Sequence, residues 1–101
     1  MTKIVIFSRI AEKDIKTYKH NKQTAIVARI WELINDIDAN GEIIGIGSPE
    51  RLYRQQKYMG WYSRKIEIDG KDTFNRLVYT VTEDLIIILE CKGHYGEKID
   101  I

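Results

Sequence analysis

Near its beginning the chain changes from a hydrophobic run typical of a strand to a pattern typical of a helix. Residues 3–7 are mainly β-branched and aromatic, which predicts a short buried strand. Ser8 follows this run and is a suitable N-cap for a helix over about residues 9–19, because its hydroxyl can accept a hydrogen bond from an unpaired helical N–H. The pattern therefore predicts a strand that leads directly into a helix.

A longer amphipathic pattern occupies residues 22–39. Its apolar positions recur every three or four residues and define one helix face: Ile26, Ile30, Leu33, Ile34 and Ile37. Asn21 is the expected N-cap, and Gly41 should end the helix because glycine readily adopts the left-handed conformation at that point. Only a few residues separate the two helices, so we expect an antiparallel helical hairpin.

Strand patterns separated by turns fill the chain after residue 60. We expect strands over residues 60–68, 73–81 and 85–91, with turns at 69–72 and 82–84. The Asp69–Gly70 pair is a strong hairpin signal. These elements predict an α+β fold in which the helical hairpin packs on one face of a mainly antiparallel, four-stranded twisted sheet. No linker divides the 101 residues, so we expect residues 1–101 to form one domain.

Composition narrows the class of protein further. Hydrophobic residues make up 44% of the chain and charged residues 31%, as in ordinary globular domains. The longest apolar run, residues 85–89, is far shorter than the roughly 20 residues of a membrane-spanning helix. A single cysteine, Cys91, favours the cytoplasm and a buried, inert thiol. No cysteine and histidine spacing is typical of a metal site, so we expect neither a metal nor another cofactor.

The net charge of +1 is uninformative, but the distribution of charge is not. Residues 51–65 contain five basic residues and no acid, with aromatic residues between them. The basic residues are Arg51, Arg54, Lys57, Arg64 and Lys65, and the aromatic ones are Tyr53, Tyr58, Trp61 and Tyr62. Such a mixture suits phosphates and unstacked bases. A solvated basic hairpin whose aromatic side chains belong to the core is the alternative.

Residues 41–49 form a glycine-rich loop that ends in the only proline and leads to Glu50. The loop lacks the Gly-Lys-Ser/Thr ending of a nucleoside-triphosphate site, so its expected role is to present Glu50. Arg76 lies within a predicted strand, and His94 follows the last strand. A carboxylate, an arginine and a histidine together can cleave RNA through its own 2′-hydroxyl, as base, charge stabiliser and acid. Taken alone, each residue is more often a solvated or incidental surface group.

Four motifs, in order, resemble those of the YoeB/Txe toxins of the RelE/ParE superfamily. Residues 45–52 resemble the loop G-x-G-x-P-E-x-L, and residues 60–66 resemble the strand G-[FW]-[WY]-S-R-R-I. Residues 75–79 are similar to H-R-L-V-Y, and residues 93–95 to the terminal x-H-Y. The resemblance implies a RelE-like fold and an endoribonuclease that cleaves messenger RNA in the ribosomal A site. It also implies a cognate antitoxin as partner, and many members of the group form homodimers.

Carried over motif by motif, the resemblance makes Glu50 the general base and His94 the general acid. Arg76 would stabilise transition-state charge, and Tyr95 would place the phosphate or the acid. The expected substrate-binding residues are Lys65, Arg64, Arg51, Arg54, Tyr53 and Trp61. On an alternating strand Arg64 and Lys65 point to opposite faces, so only one of them should meet the scissile phosphate.

This sequence departs from the family pattern at several positions. Lys65 stands where the family usually has arginine, and Tyr53 stands where a lysine is common. Residues 96–101 form a C-terminal extension beyond the family's usual end. Two other functions fit the pattern: a RelE/ParE-fold protein that binds partners without nuclease activity, and an RNA-binding domain that does not cut.

Overall fold

The computed structural model describes residues 2–52 and 60–93. Helix α1 spans Arg9–His20 and helix α2 spans Thr24–Asn40. Ser8 caps α1 as expected: its hydroxyl accepts the Ala11 N–H at 3.0 Å and donates to the Leu89 carbonyl at 2.6 Å. The second bond ties the start of the helix to the sheet.

The expected N-cap of α2 is wrong. Asn21 closes α1 instead, because its N–H donates to the Thr17 carbonyl at 3.0 Å. Lys22 then takes a positive φ of 59° and turns the chain, so α2 begins only after Gln23, which makes no side-chain capping bond. The other end is confirmed: the helix ends at Gly41, with a φ of 88°.

The strands are β1 (Ile4–Phe7), β2 (Glu50–Arg51), β3 (Tyr62–Ile68), β4 (Lys71–Val81) and β5 (Leu85–Glu90). They form one sheet in the order β1-β5-β4-β3-β2, in which only the β1–β5 pair is parallel. The expected α+β class and mainly antiparallel sheet are confirmed. The strand count is five and not four, because Glu50 and Arg51 add a short edge strand to the expected set.

Two details of the strands also differ from expectation. β1 is not buried: it is an edge strand, and Ile4 and Ile6 are 65% and 44% exposed. The turn expected at 69–72 is only two residues long, since Asp69 and Gly70 both have positive φ and form the tight connection typical of hairpins. β4 therefore starts at Lys71.

The helices cover one face of the sheet, which we call the inner face; the other is the outer face. The apolar stripe of α2 is buried against the inner face, where Ile66, Leu77 and Tyr79 contribute from β3 and β4. A smaller apolar cluster contains Leu52 and Val78, with Trp61 and Leu89 packed against them. Within residues 2–52 and 60–93, neither helix is long and apolar enough to cross a membrane.

The end of β5 is fixed to α1 through Cys91. Asp14 accepts the Cys91 N–H at 2.9 Å, and the Tyr18 hydroxyl donates to the Cys91 carbonyl at 2.7 Å. The thiol is fully buried, as expected, and burial raises its pKa, with nearby Asp14 acting in the same direction. The segment that leads towards His94 is thus anchored to the helical layer.

Candidate active site

Strand register brings three of the expected site residues to the outer face. Glu50 pairs with Ser63, and Ser63 pairs with Val78, so these three form one cross-strand row. Lys65 pairs with Arg76 in the row two residues further along. Directly paired residues of a sheet share a face, as do residues two apart on one strand.

The spacing of this cluster follows from sheet geometry. Glu50 and Lys65 are diagonal neighbours, whose Cα atoms lie about 7–8 Å apart in such an arrangement. Glu50 and Arg76 are two strands and two residues apart, which places their Cα atoms about 12 Å apart. A carboxylate and two cations therefore lie on one face of the sheet, at separations over which one phosphate and its sugar can contact all three.

Arg76 is held by a neighbouring carboxylate. Its guanidinium donates to the two Asp72 carboxylate oxygens at 3.1 and 3.4 Å, and to the Asn75 carbonyl at 3.1 Å. The Phe74 N–H also donates to Asp72, at 2.8 Å. That bond, followed by the charges of Arg76 and Lys65, outweighs the effect of burial and keeps the pKa of Asp72 below its usual value. Asp72 is thus an anion that orients Arg76 before any phosphate binds.

The end of the described chain approaches the same strand. Gly93 donates its N–H to the Asn75 side-chain oxygen at 3.1 Å, so the residue before His94 contacts the residue before Arg76. A Cβ at Gly93 would lie 2.3 Å from the Phe74 carbonyl oxygen, which makes this approach possible only for glycine. His94 and Tyr95, and likewise Tyr53 and Arg54, lie outside the described residues.

The remaining expected substrate-binding residues occupy different environments. Arg51 is exposed at the end of β2, opposite Tyr62. Trp61 is half-buried in the cluster with Leu52. Arg64 lies on the inner face and is fully buried, whereas Lys65 faces outward, in agreement with strand alternation. The placement of Arg64 does not fit the expected contact with substrate.

The Arg64 guanidinium has an acceptor for each of its five N–H groups. Nε donates to the Tyr79 hydroxyl at 2.9 Å. Nη1 donates to the Asp36 carboxylate and to the Ile46 carbonyl, and Nη2 donates to two further loop carbonyls, at 2.8 and 2.9 Å. Burial alone would raise the pKa of Asp36, but the hydrogen bonds from Arg64 and Ile46 outweigh it and lower that pKa.

Sequence reasoning did not identify Asp72, Asp36 or Tyr79 as parts of this arrangement. Asp72 was assigned to a turn, although it stands four residues before Arg76. Asp36 and Tyr79 looked like ordinary positions on an amphipathic helix and a strand. The available signal was Arg64 itself: strand alternation places it on the same face as Ile66, and a buried guanidinium requires acceptors.

Solved structures similar to this chain in fold and sequence include a bacterial toxin in complex with its antitoxin. The YoeB dimer from Staphylococcus aureus matches with a TM-score of 0.80 and 39% identity, over 94% of this chain and all of that one. YoeB in the YoeB–YefM complex from the same organism matches with a TM-score of 0.77, at the same identity and coverage. Toxin YoeB of Escherichia coli strain K12 is 36% identical over 78 residues, 77% of this chain and 83% of the relative.

The model of the family "YoeB-like toxin of bacterial type II toxin-antitoxin system" matches residues 7–95. The chain therefore belongs to the family of YoeB-like toxins, and it is the toxin component of a type II toxin–antitoxin system. The resemblance drawn from the four sequence motifs is confirmed.

Proposed function

We propose that this toxin is an endoribonuclease that cleaves messenger RNA in the ribosomal A site and so blocks translation. The reaction is attack of the RNA's own 2′-hydroxyl on the adjacent phosphate, and it uses protein side chains in place of a metal ion. Glu50 removes the proton of the 2′-hydroxyl, and His94 protonates the leaving 5′-oxygen. Arg76 and Lys65 stabilise the charge that develops on the phosphate, and Tyr95 helps to place it.

The observation that carries this proposal is the strand register of the outer face. Glu50, Lys65 and Arg76 come from three different strands, yet the pairing sets them on one surface. Metal-free cleavage needs a base on one side of the phosphate and cations beside it, and these residues can supply both. The contact between Gly93 and Asn75 supports the delivery of His94 to the same region.

We also propose the partners that such a toxin requires. Its substrate is messenger RNA on the ribosome. A cognate antitoxin binds and inhibits it, as the YoeB–YefM complex of Staphylococcus aureus suggests by similarity. The YoeB dimer of the same organism supports a homodimer as a further assembly.

Growth provides the first test. Expression of the chain without its antitoxin should arrest growth, and Glu50→Gln or His94→Gln should relieve the arrest. Glu32→Gln is the matched control, because Glu32 lies on α2 and is paired with Arg29 away from the outer face. If both site variants and the Glu32→Gln control all arrest growth as strongly as the wild type, Glu50 and His94 are not the base and acid.

Direct mapping of cleavage is the decisive test. Purified toxin is added to ribosomes that carry a defined message, and the cut is located by primer extension. A single 2′-deoxynucleotide placed before the scissile phosphate should abolish cleavage there, because it removes the nucleophile. Glu50→Gln should slow cleavage by about 10²–10⁴-fold. Intact message in reactions where translation still stops would instead favour a protein that acts by binding partners alone.

A further inference from the structure

Arg64 is the largest fully buried side chain among the described residues. A guanidinium has five N–H donors and stays protonated in proteins, so burying it is costly unless every donor has an acceptor. Here all five do. These acceptors therefore surround the Arg64 guanidinium, which has no contact with solvent.

Most of the acceptors belong to the glycine-rich loop. Three are backbone carbonyls, those of Gly41, Ile44 and Ile46, at 2.8, 2.9 and 3.0 Å. The other two groups, Asp36 and the Tyr79 hydroxyl, also bind the loop. Asp36 accepts the Ile46 N–H at 3.0 Å, and Tyr79 donates to the Glu42 carbonyl at 2.6 Å.

Apolar burial does not hold this part of the loop. Its three isoleucines, Ile43, Ile44 and Ile46, are 55%, 66% and 40% exposed. A segment whose large side chains stay 40–66% exposed gains less from the hydrophobic effect than a fully buried one. The conformation of the loop therefore depends on its polar contacts, and the guanidinium makes three of them directly.

The loop ends beside the proposed base. The Lys65 N–H donates to the Gly47 carbonyl at 2.7 Å, and Glu50, three residues later, pairs with Ser63 on β3. Gly47 fits there only without a side chain: a Cβ would lie 2.8 Å from a Leu33 methyl and 3.0 Å from the Lys65 carbonyl oxygen. A change at Arg64 would thus be transmitted through a short, closely packed segment to Glu50.

We propose that Arg64 is a positioning residue: it fixes the glycine-rich loop from the inner face and so places Glu50 beside Lys65 and Arg76 on the outer face. It makes no contact with RNA. This inference rests on the nuclease activity proposed above. The sequence motif contains two adjacent basic residues, and the structure assigns them different tasks, with Arg64 turned to the loop and Lys65 to the substrate side.

The test replaces Arg64 by lysine, which keeps the charge but cannot form the planar five-donor arrangement. Steady-state cleavage should show a fall in kcat of about 10–100-fold, because a displacement near 1 Å is sufficient for such a loss. The KM for the ribosome-bound message should stay within about threefold, since no substrate contact is removed. Arg29→Lys is the matched control and should leave both constants unchanged, because Arg29 pairs with Glu32 on the helical layer.

Hydrogen exchange separates this inference from the nuclease proposal. The Ile46 N–H donates to Asp36, and the Lys65 N–H donates to the Gly47 carbonyl. In Arg64→Lys both amides should lose protection from exchange, while the Ile88 amide in β5 should keep its protection. If the wild type cleaves no RNA, the nuclease proposal fails, but the exchange result still decides whether Arg64 holds the loop.

Two results would overturn the positioning role. One is unchanged kcat together with unchanged exchange at the Ile46 and Lys65 amides. The other is a raised KM at normal kcat, which would indicate direct contact of Arg64 with substrate. If Arg64→Lys does not fold, Asp36→Asn replaces it, because Asp36 lies at the partly exposed end of the same ion pair. The same two measurements, with smaller changes in the same direction, are then expected.

Discussion

Tyr79→Phe removes one oxygen atom from the centre of the contacts around Arg64. The hydroxyl accepts from Arg64 Nε at 2.9 Å and donates to the Glu42 carbonyl at 2.6 Å, and the side chain is fully buried. The ring and its packing remain after the substitution. The change therefore isolates two hydrogen bonds and leaves the Arg64 Nε–H without its acceptor inside the protein.

The expected loss of stability can be worked out from these two groups. A buried donor or acceptor left unpaired costs about 1–3 kcal/mol, with the higher values for charged groups such as Arg64. Glu42 is only half-buried, so water can replace part of its lost bond. We expect the free energy of unfolding to fall by about 2–4 kcal/mol. For a chain of this size the melting temperature should fall by roughly 10–25 °C.

Urea denaturation followed by circular dichroism measures this loss, and the slope m should stay unchanged because the surface exposed on unfolding is the same. Tyr62→Phe is the matched control. The Tyr62 ring stacks on Tyr79 with centroids 6.0 Å apart, and its hydroxyl has no hydrogen-bond partner among the described residues. That variant should lose less than about 0.5 kcal/mol. An equally small loss in Tyr79→Phe would refute the claim that the hydroxyl bridge supports the loop.

Two further predictions concern pH and the end of the chain. Burial is the largest single effect on Asp36 and would raise its pKa, but the hydrogen bonds from Arg64, Ile46 and Asn40 and the charge of Arg64 together outweigh it. Asp36 therefore has a lowered pKa in the folded protein, whereas the unfolded value is about 3.9. The ionised Asp36 stabilises the folded protein above about pH 4, and this stabilisation is lost as pH falls further. The difference in unfolding free energy between wild type and Asp36→Asn should therefore shrink below that pH. Urea titrations in which the difference stays constant down to about pH 3 would contradict this. Gly93→Ala places a Cβ 2.3 Å from the Phe74 carbonyl oxygen and must shift the backbone next to His94. Cleavage should slow by about tenfold or more with an unchanged circular dichroism spectrum, and wild-type cleavage rates would show that this approach is irrelevant to the site.

The elements that sequence periodicity predicted best are those whose own residues determine them. The apolar stripe of α2 and the Asp69–Gly70 hairpin are local patterns, and the structure contains both. The start of α2 was misplaced because Asn21 suits a helix end as well as a helix start. The exposure of Ile4 was missed because a β-branched run is similar in edge and buried strands.

The candidate site was predictable in its residue types but not in its supporting contacts. Strand alternation correctly separated Arg64 from Lys65. It also places Arg64 on the apolar face with Ile66, but it could not show which groups accept from the guanidinium, because these include carbonyl groups of the loop around 20 residues earlier in the chain. The pairing of Asp72 with Arg76 was likewise hidden, since it depends on how β4 begins after the shortened turn.

The parallel pairing of β1 with β5 affects when the protein can complete its fold during translation. β5, residues 85–90, lies between β1 and β4. The first strand of the chain is therefore connected to the rest of the sheet only through a strand that is synthesised late. A nascent chain cannot complete this sheet, or bury Ile86 and Ile88 against the helices, until translation has passed residue 90. On the function proposed here, the order of pairing delays the assembly of a ribosome-directed nuclease until β5, the last strand that the structure describes, has been made.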